Sequence, residues 1–179
     1  MIVQKYIILD RDGVINKDSD DYIKSADEWQ AIPRSIDAIK KLTDNNFQVI
    51  IITNQSGIER GLISPLDFMQ INNKMLNMID RAGGSIAAIL YCPSLPTSKN
   101  PNRKPGPGMF MDIAERLNIQ LSNCYAIGDS PRDIEASLAA KCMPLAVRTG
   151  NGSKIENKSK LKIPIFDDLY DAVDFVLNN

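Results

Sequence analysis

Two aspartates that follow a short hydrophobic run are spaced so that both side chains can act at one site. The apolar residues 6–9 lead directly into Asp10-Arg11-Asp12-Gly13, so the two acids lie two positions apart. In an extended backbone, residues at positions i and i+2 project on the same side. Asp10 and Asp12 are therefore expected to face one small volume beyond a strand end. Paired carboxylates there can bind a hard cation, attack an electrophile or exchange a proton.

Composition narrows the chemistry that these acids can serve. The chain has 179 residues, a formal net charge of −1 and no histidine. A Ser-His-Asp triad, a Cys-His pair and a histidine-bound zinc ion are thereby excluded. Acid–base work near neutral pH must fall to carboxylates, lysine or metal-bound water. The cysteines Cys92, Cys124 and Cys142 are odd in number and scattered, which favours buried free thiols.

Length and charge also set expectations for organisation and partners. A chain of this length is expected to form a single domain over residues 1–179 with a sizeable core. The near-zero net charge and the lack of a basic stripe give no reason to expect nucleic acid as a partner. No apolar stretch is long enough to cross a membrane. The resulting expectation is a cytoplasmic monomer that acts on a small molecule.

Strand and helix patterns alternate along the chain and predict an α/β fold. Strands are predicted at 6–9, 49–52, 86–91, 125–127, 145–147 and near Phe166, with helices at 33–45, from Ser64-Pro65 to Gly83, at 109–117, at 131–140 and at the end of the chain. In the second of these helices, an apolar stripe is expected to face the core, formed by Phe68, Ile71, Met75, Met78 and Ile79. Residues 150–162 contain four lysines and are expected to form a solvated loop. The alternation predicts a three-layer, doubly wound parallel sheet that carries its chemistry at the carboxyl ends of the strands.

Polar motifs follow the other predicted strands. Thr53-Asn54-Gln55-Ser56-Gly57 offers a hydroxyl and two amides to an oxyanion. Arg103-Lys104-Pro105-Gly106 places two cations before a helix start, which favours phosphate binding. Gly128-Asp129-Ser130-Pro131-Arg132-Asp133 supplies acids that could complete a cation site with Asp10. Together these motifs predict a site where a cation and a lysine offset the charge of a phosphate monoester.

The four motifs, in this order and at strand ends, resemble those of the haloacid dehalogenase superfamily of phosphatases. The resemblance covers residues 6–150 and implies a Rossmann-like fold without a large cap domain, a Mg²⁺ cofactor and an aspartyl-phosphate intermediate. It implies that Asp10 is the nucleophile, and that Asp12 protonates the leaving oxygen and then activates water. Thr53 and Lys104 would stabilise the transferring phosphoryl group. Asp129 would join Asp10 and the backbone carbonyl of Asp12 around Mg²⁺, and Asp133 could support that site.

Finer details resemble one branch of the superfamily. The sequences at 53–61, 91–93, 103–109 and 147–150 are similar to those of the D-glycero-D-manno-heptose 1,7-bisphosphate 7-phosphatases, with histidinol phosphatases as near relatives. This implies hydrolysis of a small phosphorylated sugar at its 7-phosphate, in the synthesis of heptose precursors of lipopolysaccharide. The loop at 18–22 would form part of the pocket rim. The substrate contacts implied by the resemblance are Asn54, Gln55, Ser56, Arg103, Ser130 and Tyr22.

Three other interpretations stay open at this point. Histidinol phosphate is the first alternative substrate, and a DNA 3′-phosphate is the second, because similar motifs occur in polynucleotide phosphatases. The lack of a basic stripe disfavours nucleic acid. A non-catalytic module that binds phosphometabolites is the third, and the presence of both Asp10 and Asp12 argues against it. The acidic run at 18–21 is most simply a solvated loop.

Two cysteine-based sites are disfavoured. The resembled phosphatases usually carry a zinc loop built from Cys-x-His and Cys-x-Cys, of which only Cys92 is present here. Ser94 stands in place of the histidine, and Asn100-Pro101-Asn102 precedes Arg103. One cysteine cannot build a four-coordinate zinc site, so no zinc is expected. Cys142 and Arg148 have the spacing of a cysteine-dependent phosphatase loop, but the residues between them form an apolar, strand-like run.

Overall fold

The computed structural model describes residues 4–158 and 163–179. Within them, six parallel strands form one sheet with the spatial order β3-β2-β1-β4-β5-β6. The strands are β1 Lys5–Leu9, β2 Phe47–Asn54, β3 Ala88–Cys92, β4 Tyr125–Gly128, β5 Met143–Val147 and β6 Ile165–Phe166. The helices are α1 Ser35–Asp44, α2 Ser56–Glu59, α3 Pro65–Arg81, α4 Gly108–Leu117, α5 Pro131–Ala139, α6 Ser153–Lys158 and α7 Leu169–Leu177, with a 3₁₀ turn at Leu121–Asn123. The predicted α/β, doubly wound architecture is confirmed.

Alternate residues of the central strands feed two separate layers of core. Ile7 and Leu9 of β1 belong to a cluster that includes side chains of α1, α3 and α7. Ile8, between them, belongs to the opposite cluster with residues of α4 and α5. Because successive strand residues point to opposite faces, an unbroken apolar run is what a strand covered on both sides requires. The three free cysteines are all buried, as expected.

The strand order places the site. Strand β1 lies between β2 and β4. The sheet extends from β1 in one direction through β2 and β3, and in the opposite direction through β4, β5 and β6. In open α/β sheets, ligands bind outside the carboxyl ends of the strands at such a switch point. The Asp10 backbone N–H donates to the Ile127 carbonyl at 3.0 Å, which ties the end of β1 to the end of β4. The residues that follow these two strands therefore start from adjacent positions.

Some elements differ from the sequence prediction. Met78 was expected in the core but is 39% exposed, because successive helix residues are turned by about 100° and the neighbouring Ile79 takes the buried position. Residues 153–158 form α6 inside the stretch expected to be a loop, and the short α2 was not predicted. Four to six residues are too few for a periodic signal. Lys160 and Lys162 of the predicted loop lie outside the described residues. No helix in the described ranges is long and apolar enough to cross a membrane.

Candidate active site

One cavity of about 630 Å³ opens at the carboxyl edge of the sheet. Its lining includes nine residues predicted from the sequence, Asp10, Asp12, Tyr22, Thr53, Asn54, Gln55, Ser56, Arg103 and Ser130. The three other predicted residues, Lys104, Asp129 and Asp133, are buried beside Asp10. One carboxylate oxygen from each of Asp10, Asp129 and Asp133 lies within 4.8 Å of the other two. The structure therefore brings all twelve predicted side chains to one place.

Lys104 is a buried cation held by three acceptors. Its Nζ lies 2.8 Å from the Ile52 carbonyl oxygen, 3.0 Å from Asp10 Oδ2 and 2.7 Å from Asp133 Oδ1. The side chain is 2% exposed. Burial works against the charged form, but the two carboxylates outweigh it and raise the pKa of Lys104. The lysine is therefore a fixed positive charge next to the predicted nucleophile.

Asn54 fixes the backbone that carries this lysine. The Asn54 side-chain amide donates to the Lys104 carbonyl at 3.0 Å, and its Oδ1 accepts from the Lys104 N–H at 3.1 Å. Asn54 is the last residue of β2, while Lys104 lies in the long connection before α4. Buried backbone groups need hydrogen-bond partners, and Lys104 lies outside any helix or strand that would supply them. The Asn54 side chain supplies these partners instead. The sequence assigned Asn54 to substrate, and it both lines the cavity and positions Lys104.

The carboxyl groups around Lys104 titrate in different directions. Burial raises the pKa of Asp10 well above its usual value, which the Lys104 charge only partly offsets and the neighbouring carboxylates reinforce. Burial also acts on Asp133, but Lys104 and the Ser130 hydroxyl outweigh it and hold the pKa of that group below its usual value. Ser130 donates to Asp133 through both its N–H and its hydroxyl. Asp133 is thus the permanent counter-ion, and Asp10 carries a charge that the site leaves incompletely compensated.

Asp12 is held by a buried arginine. Arg11, which is fully buried, donates from Nε and Nη2 to the two Asp12 oxygens, both at 3.0 Å. The Arg11 guanidinium also lies 5.7 Å from the Phe68 ring centroid. Burial would raise the pKa of Asp12, but the Arg11 charge, with hydrogen bonds from Asn16 and Gln55, holds it below its usual value. The two aspartates of the motif therefore have opposite electrostatic surroundings.

Gln55 links Asp12 to Thr53. Its Nε2 donates to Asp12 Oδ2 at 2.7 Å and to the Thr53 hydroxyl at 3.0 Å. Gln55 is 4% exposed and Thr53 is 1% exposed, so the bond between these two side chains is shielded from water, while the bond to Asp12 is partly buried. A residue expected to contact substrate thus also orients the predicted acid–base group and the predicted phosphate-binding hydroxyl.

Asp129 has one fixed oxygen and one oxygen without a partner. The Asn151 N–H donates to Asp129 Oδ2 at 2.7 Å, whereas Oδ1 is buried and makes no hydrogen bond. Burial, followed by the nearby Asp133 charge, raises the pKa of Asp129 to about 7. A buried polar atom of this kind needs an explanation, and an ion is one. Asp129 is therefore suited to bind a cation through Oδ1.

The charge of the whole centre fits a divalent cation. Four carboxylates (Asp10, Asp12, Asp129, Asp133) surround two buried cations (Arg11, Lys104), which leaves two negative charges when all are ionised. The donors are carboxylate oxygens, which suit Mg²⁺ better than softer ions. Asp10, Asp129 and the Asp12 backbone carbonyl remain the predicted ligands. The Asp12 carboxylate itself is engaged by Arg11, Asn16 and Gln55.

The cavity rim carries charges of both signs. Arg103, Arg132 and Lys154 supply three cationic side chains, and Asp18, Asp20 and Glu135 supply three acids. The Arg103 guanidinium donates to the Ser94 carbonyl at 2.7 Å. Asp18 accepts from the side-chain amide of Asn151, which also lines the cavity, at 2.9 Å. The predicted rim loop does reach the cavity, through Asp18, Ser19, Asp20 and Tyr22.

The segment between Cys92 and Arg103 is closed by hydrogen bonds between polar side chains. The Asn100 side-chain amide donates to the Ser94 hydroxyl at 2.8 Å. The Leu95 N–H donates to Glu59 of α2 at 2.8 Å, which fastens the segment to the site. Ser94 and Asn100 occupy positions at which the zinc-loop pattern has metal ligands. The absence of zinc stays a prediction, and these contacts are consistent with it.

Several residues that line the cavity or lie behind it were not singled out as site residues from the sequence. Arg11 was noted only as part of the motif, yet its position between two aspartates is the signal that could have marked it. Arg132, Glu135, Asn151 and Lys154 line the cavity but lie on polar segments that read as solvated surface. Their proximity depends on how α5 and the segment after β5 pack, which local patterns do not reveal.

A family model for haloacid dehalogenase-like hydrolases matches residues 4–141. The chain belongs to this family. The superfamily predicted from the four motifs is thereby confirmed, and the cavity at the carboxyl edge is the candidate active site of this hydrolase. All four motifs fall inside the matched region, and only residues 142–150 of the predicted range lie beyond it.

Relatives with the same architecture have a named activity. The chain is 47% identical over 150 residues to the D-glycero-beta-D-manno-heptose-1,7-bisphosphate 7-phosphatase of Bordetella bronchiseptica, covering 84% of each protein. It is 43% identical to the enzyme of that name from Pseudomonas aeruginosa, covering 91% of this chain and 92% of that protein. The crystal structure of the B. bronchiseptica D,D-heptose 1,7-bisphosphate phosphatase, complexed with magnesium and phosphate, has a TM-score of 0.95 and covers 97% of this chain and 98% of that one at 43% identity.

Proposed function

We propose that this hydrolase removes the 7-phosphate of D-glycero-β-D-manno-heptose 1,7-bisphosphate, with Mg²⁺ as cofactor. One observation supports the proposal most directly: a buried, charged floor built on Asp10 and Lys104 lies under a cavity whose rim carries Arg103, Arg132 and Lys154. A sugar with a phosphate at each end presents one dianion to the floor and a second to cations at the rim. The names of the relatives point to the same substrate.

Asp10 is assigned the nucleophile's role. A carboxylate oxygen of Asp10 forms a bond to the 7-phosphorus while the bond from phosphorus to the sugar oxygen breaks. Lys104 and the Thr53 hydroxyl are assigned the neutralisation and hydrogen bonding of the phosphoryl oxygens. The raised pKa of Asp10 reflects burial among carboxylates, so the nucleophilic, ionised form needs a further positive charge nearby.

Asp12 is assigned the proton transfers. Arg11 favours the ionised form of Asp12 in the free protein, so Asp12 takes up a proton as the phosphate dianion binds nearby, and it donates that proton to the departing sugar oxygen, which leaves as an alcohol. The ionised Asp12 then takes a proton from the water that attacks the aspartyl phosphate. This second step releases inorganic phosphate and restores both side chains. Arg11, Asn16 and Gln55 hold the Asp12 carboxylate in one orientation throughout.

Asp10, Asp129 and the Asp12 backbone carbonyl are the groups proposed to hold Mg²⁺. The orphaned, buried Oδ1 of Asp129 and the excess of two negative charges support this assignment. When bound, the ion would reduce the repulsion between the Asp10 carboxylate and the phosphate of the substrate, which are both anions. Asp133 stays on Lys104 and keeps that lysine oriented.

Initial rates on three substrates test the function. With Mg²⁺, the β-anomer of heptose 1,7-bisphosphate is expected to give a higher kcat/KM than histidinol phosphate or a 3′-phosphorylated oligonucleotide. The Asp10→Asn variant is expected to lose activity by more than about 10³-fold on any of them. A higher kcat/KM for histidinol phosphate or for the oligonucleotide would contradict the substrate assignment.

Two controls separate the substrate from the chemistry. Arg103→Gln should raise KM for the bisphosphate while leaving the kcat/KM for p-nitrophenyl phosphate nearly unchanged, because the latter has no second phosphate. Full activity of Asp10→Asn would contradict the role of the nucleophile whatever the substrate.

A further inference from the structure

We propose that the segment Thr149-Gly150-Asn151, called here the Gly150 loop, positions the Asp129 carboxylate and thereby sets the affinity of the site for a divalent cation. The loop follows β5 and lies beyond the four motifs that carry the catalytic assignments. The inference rests on the proposed function only in taking Asp129 as a metal ligand.

Gly150 makes the closest approach to Asp129. Its φ is +59°, and a Cβ added there would lie 2.2 Å from Asp129 Oδ2 and 2.6 Å from Gly13 Cα. These separations are far shorter than any carbon contact, and a positive φ is strained for residues with a side chain. A residue other than glycine would push the carboxylate or the Asp10–Gly13 turn away. The loop can reach Asp129 only because position 150 has no side chain.

Gly13 lies close to the same carboxylate oxygen. A Cβ on Gly13, whose φ is +83°, would lie 2.1 Å from Asp129 Oδ2. That oxygen is therefore confined between two glycine backbones, one from the turn after β1 and one from the loop after β5. Because Oδ2 is held in place, the orientation of the whole carboxylate is fixed, and with it the position of the buried Oδ1.

Two hydrogen bonds complete the arrangement. The Asn151 N–H donates to Asp129 Oδ2 at 2.7 Å. The Thr149 hydroxyl donates to the Gly13 carbonyl at 2.7 Å, which fastens the loop to the turn that carries Asp10 and Asp12. The loop thus contacts the proposed ligand Asp129 directly and the turn that carries Asp10 and Asp12 through the Gly13 carbonyl. Groups that orient a ligand typically change metal affinity by about 10–100-fold when they are lost.

The chain offers a matched control for the glycine substitution. Gly61 also has a positive φ, +70°, but a Cβ added there would meet nothing within 4 Å. Gly61→Ala therefore introduces a similar backbone strain without crowding any ligand. Thr149→Val removes the hydroxyl bond to Gly13 at nearly constant volume, and Thr149→Ser keeps it. These pairs separate strain and volume from the positioning role.

The test measures metal binding without any phosphorylated substrate. Mn²⁺ is titrated into each protein, and the concentration of free Mn²⁺ is followed by electron paramagnetic resonance. Mg²⁺ is then added as a competitor. Gly150→Ala is expected to bind Mn²⁺ about 10–100-fold more weakly than the wild type, and Gly61→Ala within about 2-fold of it. Thr149→Val should weaken binding, and Thr149→Ser should restore it. Equal weakening by Gly61→Ala would overturn the proposal.

The other possible outcomes of this experiment also test the proposal. If Gly150→Ala fails to fold, the Thr149 pair alone is sufficient, since unchanged Mn²⁺ affinity in a folded Thr149→Val protein would overturn the proposal. A wild-type protein that binds no Mn²⁺ or Mg²⁺ would overturn it as well. Because no sugar phosphate is present, a failure to hydrolyse heptose bisphosphate leaves this result untouched.

Discussion

At the scale of single residues, the two aspartates of the first motif are separated by their surroundings. Asp10 faces Lys104 but is buried among carboxylates, and its pKa is raised. Asp12 is only partly buried, its side chain being 20% exposed, and Arg11 compensates its charge and lowers its pKa. These directions run against the assigned roles, since the nucleophile must be ionised and the acid protonated. A cation bound beside Asp10 and a phosphate dianion beside Asp12 would move the two pKa values toward those roles. Arg11 therefore keeps Asp12 ionised until substrate binds.

Asp12→Asn tests the proton-transfer role. The variant should lose about 10²–10⁴-fold in kcat/KM on a sugar phosphate, whose alkoxide leaving group needs a proton. The loss on p-nitrophenyl phosphate should be much smaller, because nitrophenolate leaves without one. The kcat/KM values report formation of the phosphoenzyme and are compared for both substrates. Equal losses on the two would contradict a proton donated by Asp12.

Lys104→Met tests the buried ion cluster. Removing the ammonium leaves Asp10 and Asp133 as uncompensated buried charges, and the free energy of unfolding should fall by about 3–5 kcal/mol near pH 8. The loss should shrink near pH 5, since a carboxyl group without its cation takes up a proton more readily. Urea unfolding at the two pH values measures both effects.

The matched variant for this substitution is Lys40→Met. Lys40 pairs with Asp44 on the surface of α1 and is 45% exposed, so its loss should change the stability little. A loss for Lys104→Met as small as that for Lys40→Met would contradict the account of Lys104 as a structural counter-ion.

At the scale of elements, two helices begin with the same four-residue pattern. Helix α3 follows Ser64-Pro65-Leu66-Asp67, and α5 follows Ser130-Pro131-Arg132-Asp133. In both, the serine N–H and hydroxyl donate to the aspartate at the third helical position. Proline at the first position suits a helix start, because its missing N–H would have no partner there. The exposed α3 start is structural, while the α5 start also holds Asp133 against Lys104.

Ser64→Ala and Ser130→Ala form a matched pair. Each should lower the free energy of unfolding by about 1 kcal/mol, the usual cost of losing a helix cap. Only Ser130→Ala should also lower kcat/KM, because it frees the carboxylate that orients Lys104. Chemical denaturation and steady-state kinetics on both proteins check this. Equal kinetics in the two variants would show that the α5 cap is purely structural.

The element patterns were largely predictable from the sequence, and the exceptions have physical reasons. Residues 49–52 were recognised as a buried strand because both faces of the sheet are covered. The role of Asn54 in positioning Lys104 could not be derived, since Lys104 lies 50 residues further along the chain. Arg11 contacts its neighbour Asp12, but the sequence does not show that this arginine is fully buried. Met78 and Ile79 are neighbours on α3, and the turn of about 100° per helical residue allows only Ile79 to join the buried stripe.

At the scale of the whole molecule, the strand order explains why separate motifs form one site. With β1 between β2 and β4, the residues after those three strands reach one edge, and the chain before α4 brings Lys104 back to it. The sequence predicted this convergence from the general rule for parallel sheets. The sequence could not predict that the segment after β5 would reach Asp129, because nothing local to Gly13 or Gly150 shows that both lie against the same carboxylate.

The excess of negative charge at this edge couples stability to pH and to metal. Burial and the Asp133 charge raise the pKa of Asp129 from its usual value to about 7, so the folded protein holds a proton there that the unfolded chain has lost above pH 4. Stability without metal should therefore fall as pH rises from about 5 to about 7, by up to about 1.4 kcal/mol per pH unit for this group. Asp10 acts in the same direction, whereas the lowered pKa values of Asp12 and Asp133 confine their titration to more acidic pH.

Mg²⁺ should reverse this trend. The ion binds the ionised carboxylates, so protons compete with it below pH 7, and the rise in Tm caused by saturating Mg²⁺ should be larger at pH 8 than at pH 5.5. Asp129→Asn removes the titrating group, and both the pH dependence without metal and the Mg²⁺ effect should become smaller. Differential scanning calorimetry of both proteins, with Mg²⁺ and with a chelator, measures these shifts. A Mg²⁺-induced rise in Tm that is the same at both pH values would contradict a metal site built on Asp129, because such a site must lose a proton before it can bind the ion.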